Sequence, residues 1–231
     1  MTKDRTYPRR GLHGQLVHDI GLRILRGELE PGDSLAAEWG DQEVSRTVVR
    51  EAVKVLAAKG LIVSRPKTGT HVRERRYWHM LDPDVLAWQV EAEPRDDFYL
   101  SVLETRRLIE PAVAALAATR AGPDEVSELE TTFARMAESA GSDMEAYIEA
   151  DIRFHEVILE GCHNELLTHI GSLLRGAFRA TFTRTQDLAE QTLGLHEAVL
   201  DGIRDGSAEA AEAAMLTLIE TTAASLDRVS G

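Results

Sequence analysis

The spacing of apolar residues along residues 1–76 predicts two helices followed by a short hairpin. Apolar positions recur at three- and four-residue steps between residues 12 and 28, and again after Ser45, whose hydroxyl is a favoured helix N-cap. Residues 61–65 and 70–73 have the composition of strands, and the proline and glycine within residues 66–69 predict the turn between them. This order of elements is typical of a winged helix-turn-helix domain.

From residue 96 onward the apolar pattern keeps the helical period, with no strand-like alternation of any length. Four breaks that each contain a glycine, and a fifth around Asp187, divide it into predicted helices at residues 96–120, 124–140, 143–161, 164–186, 188–204 and 207–228. We therefore expect a mainly α protein, in which residues 96–231 form an all-α bundle of six or seven helices.

Residues 77–95 lie between the two predicted domains and are too apolar for a free tether. Their large apolar residues include Trp78, Val85 and Trp88. Asp82 and Pro83 have the chemistry of an N-cap and a first helical position, so a short helix is expected here. We interpret the segment as a linker that docks on the second domain.

The charge is divided unevenly along the chain. Residues 1–79 carry 15 Lys and Arg against 10 Asp and Glu, a net charge of +5, whereas residues 80–231 carry 11 against 29, a net charge of −18. A basic first domain on an acidic body favours nucleic-acid binding by the first domain, although composition drift between two ordinary domains is an alternative. The single cysteine, Cys162, the charged start and the lack of a ~20-residue apolar run predict a cytoplasmic protein without a membrane span.

The first turns of the second predicted helix offer hydroxyls and guanidinium groups. Ser45, Arg46, Thr47 and Arg50 would face a DNA major groove, where arginine can donate two hydrogen bonds to guanine. Two arginines alone fit a solvated helix face equally well, and it is the order of helix, helix and hairpin that favours DNA. The tip of the hairpin, Lys67, Thr68 and Gly69, would then lie along the backbone or the minor groove.

A possible metal site is predicted within the bundle. Asp151 and His155 lie four residues apart on a helix face that is otherwise apolar, and His196 lies on another mostly apolar face. Burying a carboxylate there is costly unless a cation pairs with it, and a divalent ion such as Zn, Ni or Mn would supply that charge. The alternatives are a structural Asp–His pair and, for His196, a core histidine with a satisfied hydrogen bond.

The sequence also resembles a known family. The motifs Pro31-Gly32-Asp33, Ser45-Arg46-Thr47, Lys59-Gly60-Leu61-Ile62 and Gly69-Thr70 are similar to the DNA-binding domain of GntR-family bacterial regulators. The resemblance implies that Arg46, Thr47 and Arg50 contact DNA, with Ser45 and Lys67 beside them. The segment between these first two motifs, residues 34–43, is shorter than the one that family members usually have. The first helix of the helix-turn-helix is therefore expected to be short or distorted.

The second domain resembles the FCD effector domain of the FadR subfamily, through Glu104-x-Arg106, Asp151-x-x-Phe154-His155 and His196-Glu197. The resemblance implies a metal held by one Asp and three His, with Asp151, His155 and His196 as the first three and Leu218 where the fourth is usual. It also implies a carboxylate effector, for which Arg106 or Arg107, Asn164 and Arg175 are the candidate contacts. An arginine paired with Glu104 or Glu110 on the surface is the alternative. His163 and His169 are weaker candidate ligands.

Three functions follow as hypotheses. The first is a homodimeric regulator, expected to be a repressor, that binds a palindromic operator in double-stranded DNA and is released by a small carboxylate. The residues around Trp78, Asp82 and Trp88 resemble the subset that responds to sugar acids, such as galactonate or gluconate repressors. The second is a regulator for which the metal itself is the signal. The third, a metal-dependent enzyme, is disfavoured because the sequence has no His-Glu-x-x-His, phosphate loop or Gly-x-Ser-x-Gly motif.

Overall fold

The computed structural model describes residues 7–8, 11–36, 45–92 and 96–229, and divides the chain into two compact units, Met1–Pro94 and Arg95–Gly231. Among the described residues the protein is almost entirely helical, with one two-stranded sheet. The predicted mainly α fold class is confirmed. No helix in these ranges is long and apolar enough to cross a membrane.

The N-terminal unit consists of α1 (Gly11–Leu25), α2 (Arg46–Ala58), β1 (Ile62–Arg65), β2 (Gly69–Val72), a 3-10 turn (Arg75–Tyr77) and α3 (Pro83–Glu91). The strands form the predicted antiparallel hairpin, with Ile62 opposite Val72 at its base and Arg65 opposite Gly69 at its tip. The expectation for the helix before α2 falls mainly on residues 37–44, which lie outside the described residues.

A single apolar core holds this unit together. The stripe of α1 packs against the apolar face of α2, and β1 packs against α2, so that Ile62 and Val72 of the hairpin join the same core. The predicted stripe residues Leu16, Ile20, Ile24 and Leu56 are all buried to 4% exposure or less. Burying side chains of this size contributes about 1.5–3 kcal/mol each, which makes this packing the main stabilising term.

The segment after the hairpin packs within the N-terminal unit. Val85 and Trp88 on α3 belong to the same core as α1. The Trp88 ring lies so close to Gly21 that a Cβ atom at that position would stand 2.5 Å from a ring carbon. The apolar face of this segment is therefore buried against α1 within the N-terminal unit. Docking on the second domain stays a prediction.

An ion-pair cluster joins the end of α2 to the start of α3. The ammonium group of Lys59, the C-cap residue of α2, lies 2.8 Å from Asp82 Oδ1 and 2.5 Å from Asp84 Oδ2. Asp82 also caps α3, accepting hydrogen bonds from the backbone N–H groups of Asp84 and Val85. Burial works to lower the pKa of Lys59, but the two carboxylates outweigh it and raise that pKa.

We predict that Lys59→Met lowers the free energy of unfolding of the N-terminal unit by about 3 kcal/mol, because Asp84, only 5% exposed, would lose its cation. Because the pKa of Lys59 is raised on folding, its contribution to the free energy of unfolding is fully present below pH 10.5 and is lost only as the pH rises further. The test is therefore made at neutral pH. All three tryptophans lie within residues 1–94, so tryptophan fluorescence during urea unfolding reports on this unit.

The matched control is Lys54→Met, which removes the exposed pair of Lys54 with Glu51 on the same helix and should change stability by less than about 1 kcal/mol. Equal effects of the two substitutions would contradict a special role for the Lys59 cluster.

The second unit consists, in its described part, of α4 (Asp96–Arg120), α5 (Pro123–Ser139), α6 (Met144–Gly161), α7 (Glu165–Arg184), a 3-10 turn (Gln186–Leu188), α8 (Ala189–Arg204) and α9 (Ala208–Val229). α4 packs against α9, α6, α8 and α7, and α6 also packs against α5 and α7. The apolar core includes Val113, Phe154, Val199 and Met215, all 1% exposed or less. Six α-helices in this part of the chain agree with the predicted bundle.

Candidate functional site

The N-terminus of α2 presents its polar groups to solvent. Ser45 caps the helix by accepting a hydrogen bond from the backbone N–H of Val48 at 3.4 Å. Arg46, Thr47 and Arg50 are exposed, and within the described parts of the chain neither guanidinium forms a hydrogen bond or an ion pair. The first turns of α2 therefore have the free donors that a DNA groove requires.

The tip of the hairpin is a second exposed basic element. Lys67 has a φ angle of 72° and Gly69 has a φ angle of 88°, so the turn needs two left-handed residues. Lys67, Thr68 and Gly69 are all exposed. The structure therefore places every predicted DNA contact at the surface of the N-terminal unit.

The Pro31-Gly32-Asp33 segment fixes the base of the hairpin, a role that the sequence reading missed. The backbone N–H of Gly32 donates to the Val72 carbonyl at 3.0 Å, and that of Val72 donates to the Asp33 carbonyl at 3.0 Å. A bridge between Ser34 and His71 continues this pairing. The segment thus pairs with β2 through backbone hydrogen bonds at the base of the hairpin.

A buried cluster of charged side chains lies inside the helical bundle. Arg106 and Glu110 project from α4, Asp151 and His155 from α6, and His196 from α8, and each is 6% exposed or less. Nε2 of His155 lies 3.3 Å from Asp151 Oδ1, and Nε2 of His196 lies 3.2 Å from the same oxygen. The structure therefore brings the three predicted metal ligands together, with one donor atom of each within 4.8 Å of the others.

The outer nitrogen of each imidazole faces a different group. Nδ1 of His196 lies 2.9 Å from the Thr192 carbonyl oxygen, one turn earlier on α8. Nδ1 of His155 lies 2.7 Å from Glu110 Oε2, at an angle outside the range of a hydrogen bond. Both rings consequently turn Nε2 towards Asp151, the orientation that a metal site needs.

Arg106 shares Glu110 with His155. Its Nε donates to Glu110 Oε1 at 2.7 Å, and its Nη2 lies 3.4 Å from Nε2 of His155. The guanidinium carbon stands 4.5 Å from the centre of the Phe182 ring, which also stacks on His155. Nη1 of Arg106 is buried without a hydrogen-bond partner, which leaves one strong donor available to a ligand.

Electrostatics keep both carboxyl groups of the cluster ionised. Burial works to raise the pKa of Glu110, but Arg106 and His155 outweigh it and lower that pKa to about 2. Burial likewise works to raise the pKa of Asp151, and His196 and His155 hold it well below its usual range. Burial works to lower the pKa of His155, whereas Glu110 and Asp151 raise it. Both carboxyl groups are thus held in the charged form, which is the form in which Asp151 can act as a ligand.

These residues fit a divalent metal with three protein ligands. A carboxylate oxygen and two imidazole nitrogens converge on one buried cavity of about 20 Å³, which has room for about one water molecule or ion. Leu218, 2% exposed on α9, lines the same cavity where a fourth ligand would stand. A bound metal would therefore keep open coordination positions.

We predict that Leu218→His tightens Zn²⁺ binding by about tenfold or more, or about 1.4 kcal/mol, because it offers a fourth ligand from the cavity wall. Isothermal titration of Zn²⁺ into the variant and the parent chain measures this directly. Leu216→His is the matched control, since Leu216 lies on the same helix but does not line the cavity. The prediction fails if both histidines act alike.

The structure places the other predicted effector contacts away from this cavity. The side chain of Arg107 is 60% exposed and pairs with Glu220, whereas Arg106 faces the cavity, so the two candidates are distinguished. Asn164 caps α7, where its side chain accepts hydrogen bonds from the backbone N–H groups of Leu166 and Leu167. Arg175 is exposed and lies near Glu149 and Glu156. The surface alternative for Arg106 is also corrected, because its pair with Glu110 is buried.

The weaker candidate ligands are outside the cluster as well. His163 pairs with Glu125 at 3.4 Å with half of its side chain exposed, and His169 is exposed and bonds the Glu165 carbonyl. Sequence reasoning missed Glu110 as a member of the cluster. The pattern that could have identified Glu110 as buried is a stripe of α4 with three- and four-residue steps, formed by Leu103, Arg106, Glu110 and Val113.

Comparisons with known proteins cover both units. Residues 12–72 match the family described as "Bacterial regulatory proteins, gntR family", and residues 101–221 match the "FCD domain". The chain is 35% identical to the galactonate operon transcriptional repressor of Escherichia coli strain K12, over 94% of this chain and 97% of that protein. It is 32% identical to the HTH-type transcriptional regulator LutR of Bacillus subtilis strain 168, over 84% and 91%.

Solved structures share the fold. A GntR protein of Streptococcus agalactiae aligns with a TM-score of 0.55 and 22% identity over 93% of this chain and all of that one. Lar, which is described as controlling expression of the Listeria monocytogenes agr system, aligns with a TM-score of 0.62 and 19% identity over 96% and 99%.

Proposed function

Because the chain belongs to the GntR family of bacterial transcription regulators and carries an FCD domain, we propose that it is a repressor whose operator binding is controlled by a small organic acid bound inside the helical unit. Its family and its relatives are DNA-binding regulators rather than enzymes, so the enzyme hypothesis is set aside. The acid, the metal and the homodimer belong to the proposal.

The exposed donors of the N-terminal unit support operator recognition. Arg46 and Arg50 would enter a major groove with the first turns of α2, and Lys67 would contact the backbone beside it. A homodimer would present two such helices to the two halves of a palindromic operator.

The observation that carries the effector proposal is the buried guanidinium of Arg106, with Nη1 unpartnered beside three candidate metal ligands. A carboxylate is the group that a free arginine donor and an open metal position both favour. The relative named as a galactonate operon repressor makes a sugar acid the first candidate. Asp151, His155 and His196 would hold the metal, which would supply positive charge and open positions for oxygen ligands.

The size of the cavity implies how binding would be transmitted. A space of about 20 Å³ is too small for a sugar acid, so the bundle must open for the acid to enter. An acid that binds only the open bundle shifts the population towards it, by as much as its affinity for the two states differs. Coupling of this kind is typically about 1–3 kcal/mol, enough to release an operator.

A thermal-melt screen tests the proposal. Purified protein is heated with galactonate, gluconate, lactate and other small carboxylates, with and without Zn²⁺, Ni²⁺ or Mn²⁺. An acid at a hundred times its dissociation constant should stabilise the protein by about 2.7 kcal/mol. A shift that chelation removes would support a metal-assisted site, and a shift that survives chelation would leave Arg106 as the anchor. No shift by any acid would contradict the proposal.

A regulator that senses the metal itself is the second candidate, and the convergence of Asp151, His155 and His196 favours it. It requires operator affinity to change when metal alone is added. Titrating Zn²⁺ into an operator-binding assay without any acid separates the two functions.

A further inference from the structure

We propose that Glu110 is a positioning residue that joins the metal ligand His155 to the anion anchor Arg106, so that the site binds a divalent ion more tightly while this carboxylate is present. The inference rests on the proposed metal site within the proposed function. The observations that carry it are the position of Glu110 between the two side chains and its burial at 3% exposure.

The carboxylate of Glu110 contacts both side chains. Oε1 accepts a hydrogen bond from Arg106 Nε at 2.7 Å. Oε2 accepts a longer one from Arg106 Nη2, at 3.4 Å, and lies 2.7 Å from His155 Nδ1. The carboxylate thus stands behind the His155 ring, whose Nε2 faces the cavity. A carboxylate behind a metal-bound imidazole also makes that imidazole a more basic ligand.

The two histidines of the site differ in this respect. The outer nitrogen of His196 faces a neutral backbone carbonyl, at 2.9 Å, which no side-chain substitution removes. The outer nitrogen of His155 depends on a side chain from another helix, since Glu110 lies on α4 and His155 on α6. His155 is therefore the ligand whose geometry one substitution at position 110 can change.

Charge balance gives Glu110 a second role. Arg106 Nη2 lies 3.4 Å from Nε2 of His155, the nitrogen that would bind the ion, so the guanidinium and the metal would be close neighbours. Two cations repel one another strongly in a buried site. Glu110 and Asp151 together offset Arg106 and half of the metal charge, leaving one surplus positive charge that a monocarboxylate would neutralise. With a neutral residue at position 110 the surplus doubles before any acid binds.

The test uses the full chain, Co²⁺ as the probe, and Glu110→Gln as the main variant, because glutamine keeps the shape and removes the charge. We expect the Co²⁺ dissociation constant to rise by about 10- to 100-fold, the range for the loss of a partner behind a metal ligand. The visible absorption bands of bound Co²⁺ should also change, a signature that a general loss of stability would not produce.

The matched control is Glu220→Gln, which neutralises the glutamate of the neighbouring but exposed pair with Arg107. It should leave both the Co²⁺ affinity and the spectrum unchanged. Circular dichroism establishes that each variant is folded. If Glu110→Gln does not fold, Glu110→Asp replaces it, because the shorter side chain keeps the charge and cannot reach both partners; weaker Co²⁺ binding with an altered spectrum is again expected.

Parent-like Co²⁺ affinity and spectrum in the position-110 variant would overturn the inference, as would equal losses in Glu220→Gln or a parent chain that binds no Co²⁺. These outcomes differ from failure of the proposed function. A melting shift by an acid without any metal would keep the function and remove the role of Glu110 in metal binding. Weaker Co²⁺ binding by Glu110→Gln, together with no response to any acid, would support the role of Glu110 and contradict the proposed function.

Discussion

His155→Ala should abolish Zn²⁺ binding, raising the dissociation constant at least about 100-fold, while operator affinity without effector stays within about twofold. The substitution removes one of the three His, Asp or Glu side chains that converge on the cavity among the described residues, and Leu218, which also lines the cavity, offers no ligand atom. Two ligands cannot replace the hydration shell of the ion. The residues proposed to contact DNA lie in the other compact unit, so their own contacts are expected to be unchanged.

Asp151→Asn tests the same site with less change of volume. It keeps the shape of the side chain and removes the charge that both imidazoles face, at 3.3 Å and 3.2 Å. Isothermal titration with Zn²⁺ gives the affinities, and the melt screen gives the acid response, which should disappear together with the metal. His169→Ala, an exposed histidine on α7, is the control. Zn²⁺ binding that survives in both site variants would remove the metal site from the proposal.

Arg50→Ala should weaken specific operator binding by about 1–3 kcal/mol, or roughly 5- to 150-fold. The side chain is exposed near the N-terminus of α2, and Ser45 fixes the start of that helix. An arginine at this place can read guanine with two hydrogen bonds, which alanine cannot replace. Unchanged operator affinity would mean that α2 is not the recognition helix.

The measurement can also distinguish base reading from phosphate binding. The operator is first selected from random duplexes with the parent protein, and affinities are then compared by fluorescence anisotropy at one fixed salt concentration. A base contact at Arg50 confines the loss to the selected sequence, whereas Lys67→Ala at the hairpin tip should weaken all sequences alike and lower the salt dependence. Arg204→Ala, which removes an exposed pair with Asp201 in the other unit, should change neither.

The sequence was sufficient for features that depend on local periodicity. The stripe of Val49, Val53 and Leu56 identifies α2, and the turn residues before Gly69 identify the hairpin. The four-residue spacing of Asp151 and His155 places both on one face of α6. Each of these depends on residues within one or two helical turns, where the geometry of the chain fixes the neighbours.

The features that were missed depend on contacts between distant parts of the chain. Glu110 meets His155 across 45 positions, and no local pattern states that α4 and α6 are neighbours. The segment around Trp88 was interpreted as too apolar for a free tether, yet its apolar residues gave no indication that α1 would cover them. Arg106 and Arg107 differ by one position, and only the buried stripe of α4 separates the inward from the outward side chain.

Chimeric regulators are made by joining the DNA-binding domain of one protein to the second domain of another. Where the join is placed matters here, because Lys59 contacts Asp82 and Asp84, and Gly21 contacts Trp88. A DNA-binding fragment cut directly after the hairpin would lose α3, expose part of the core beside α1, and leave the ammonium group of Lys59 without either carboxylate. A fragment that runs through residue 92 retains all of these contacts. A chimera should therefore take residues 73–92 from the same parent protein as the DNA-binding domain, and not from the parent of the helical unit.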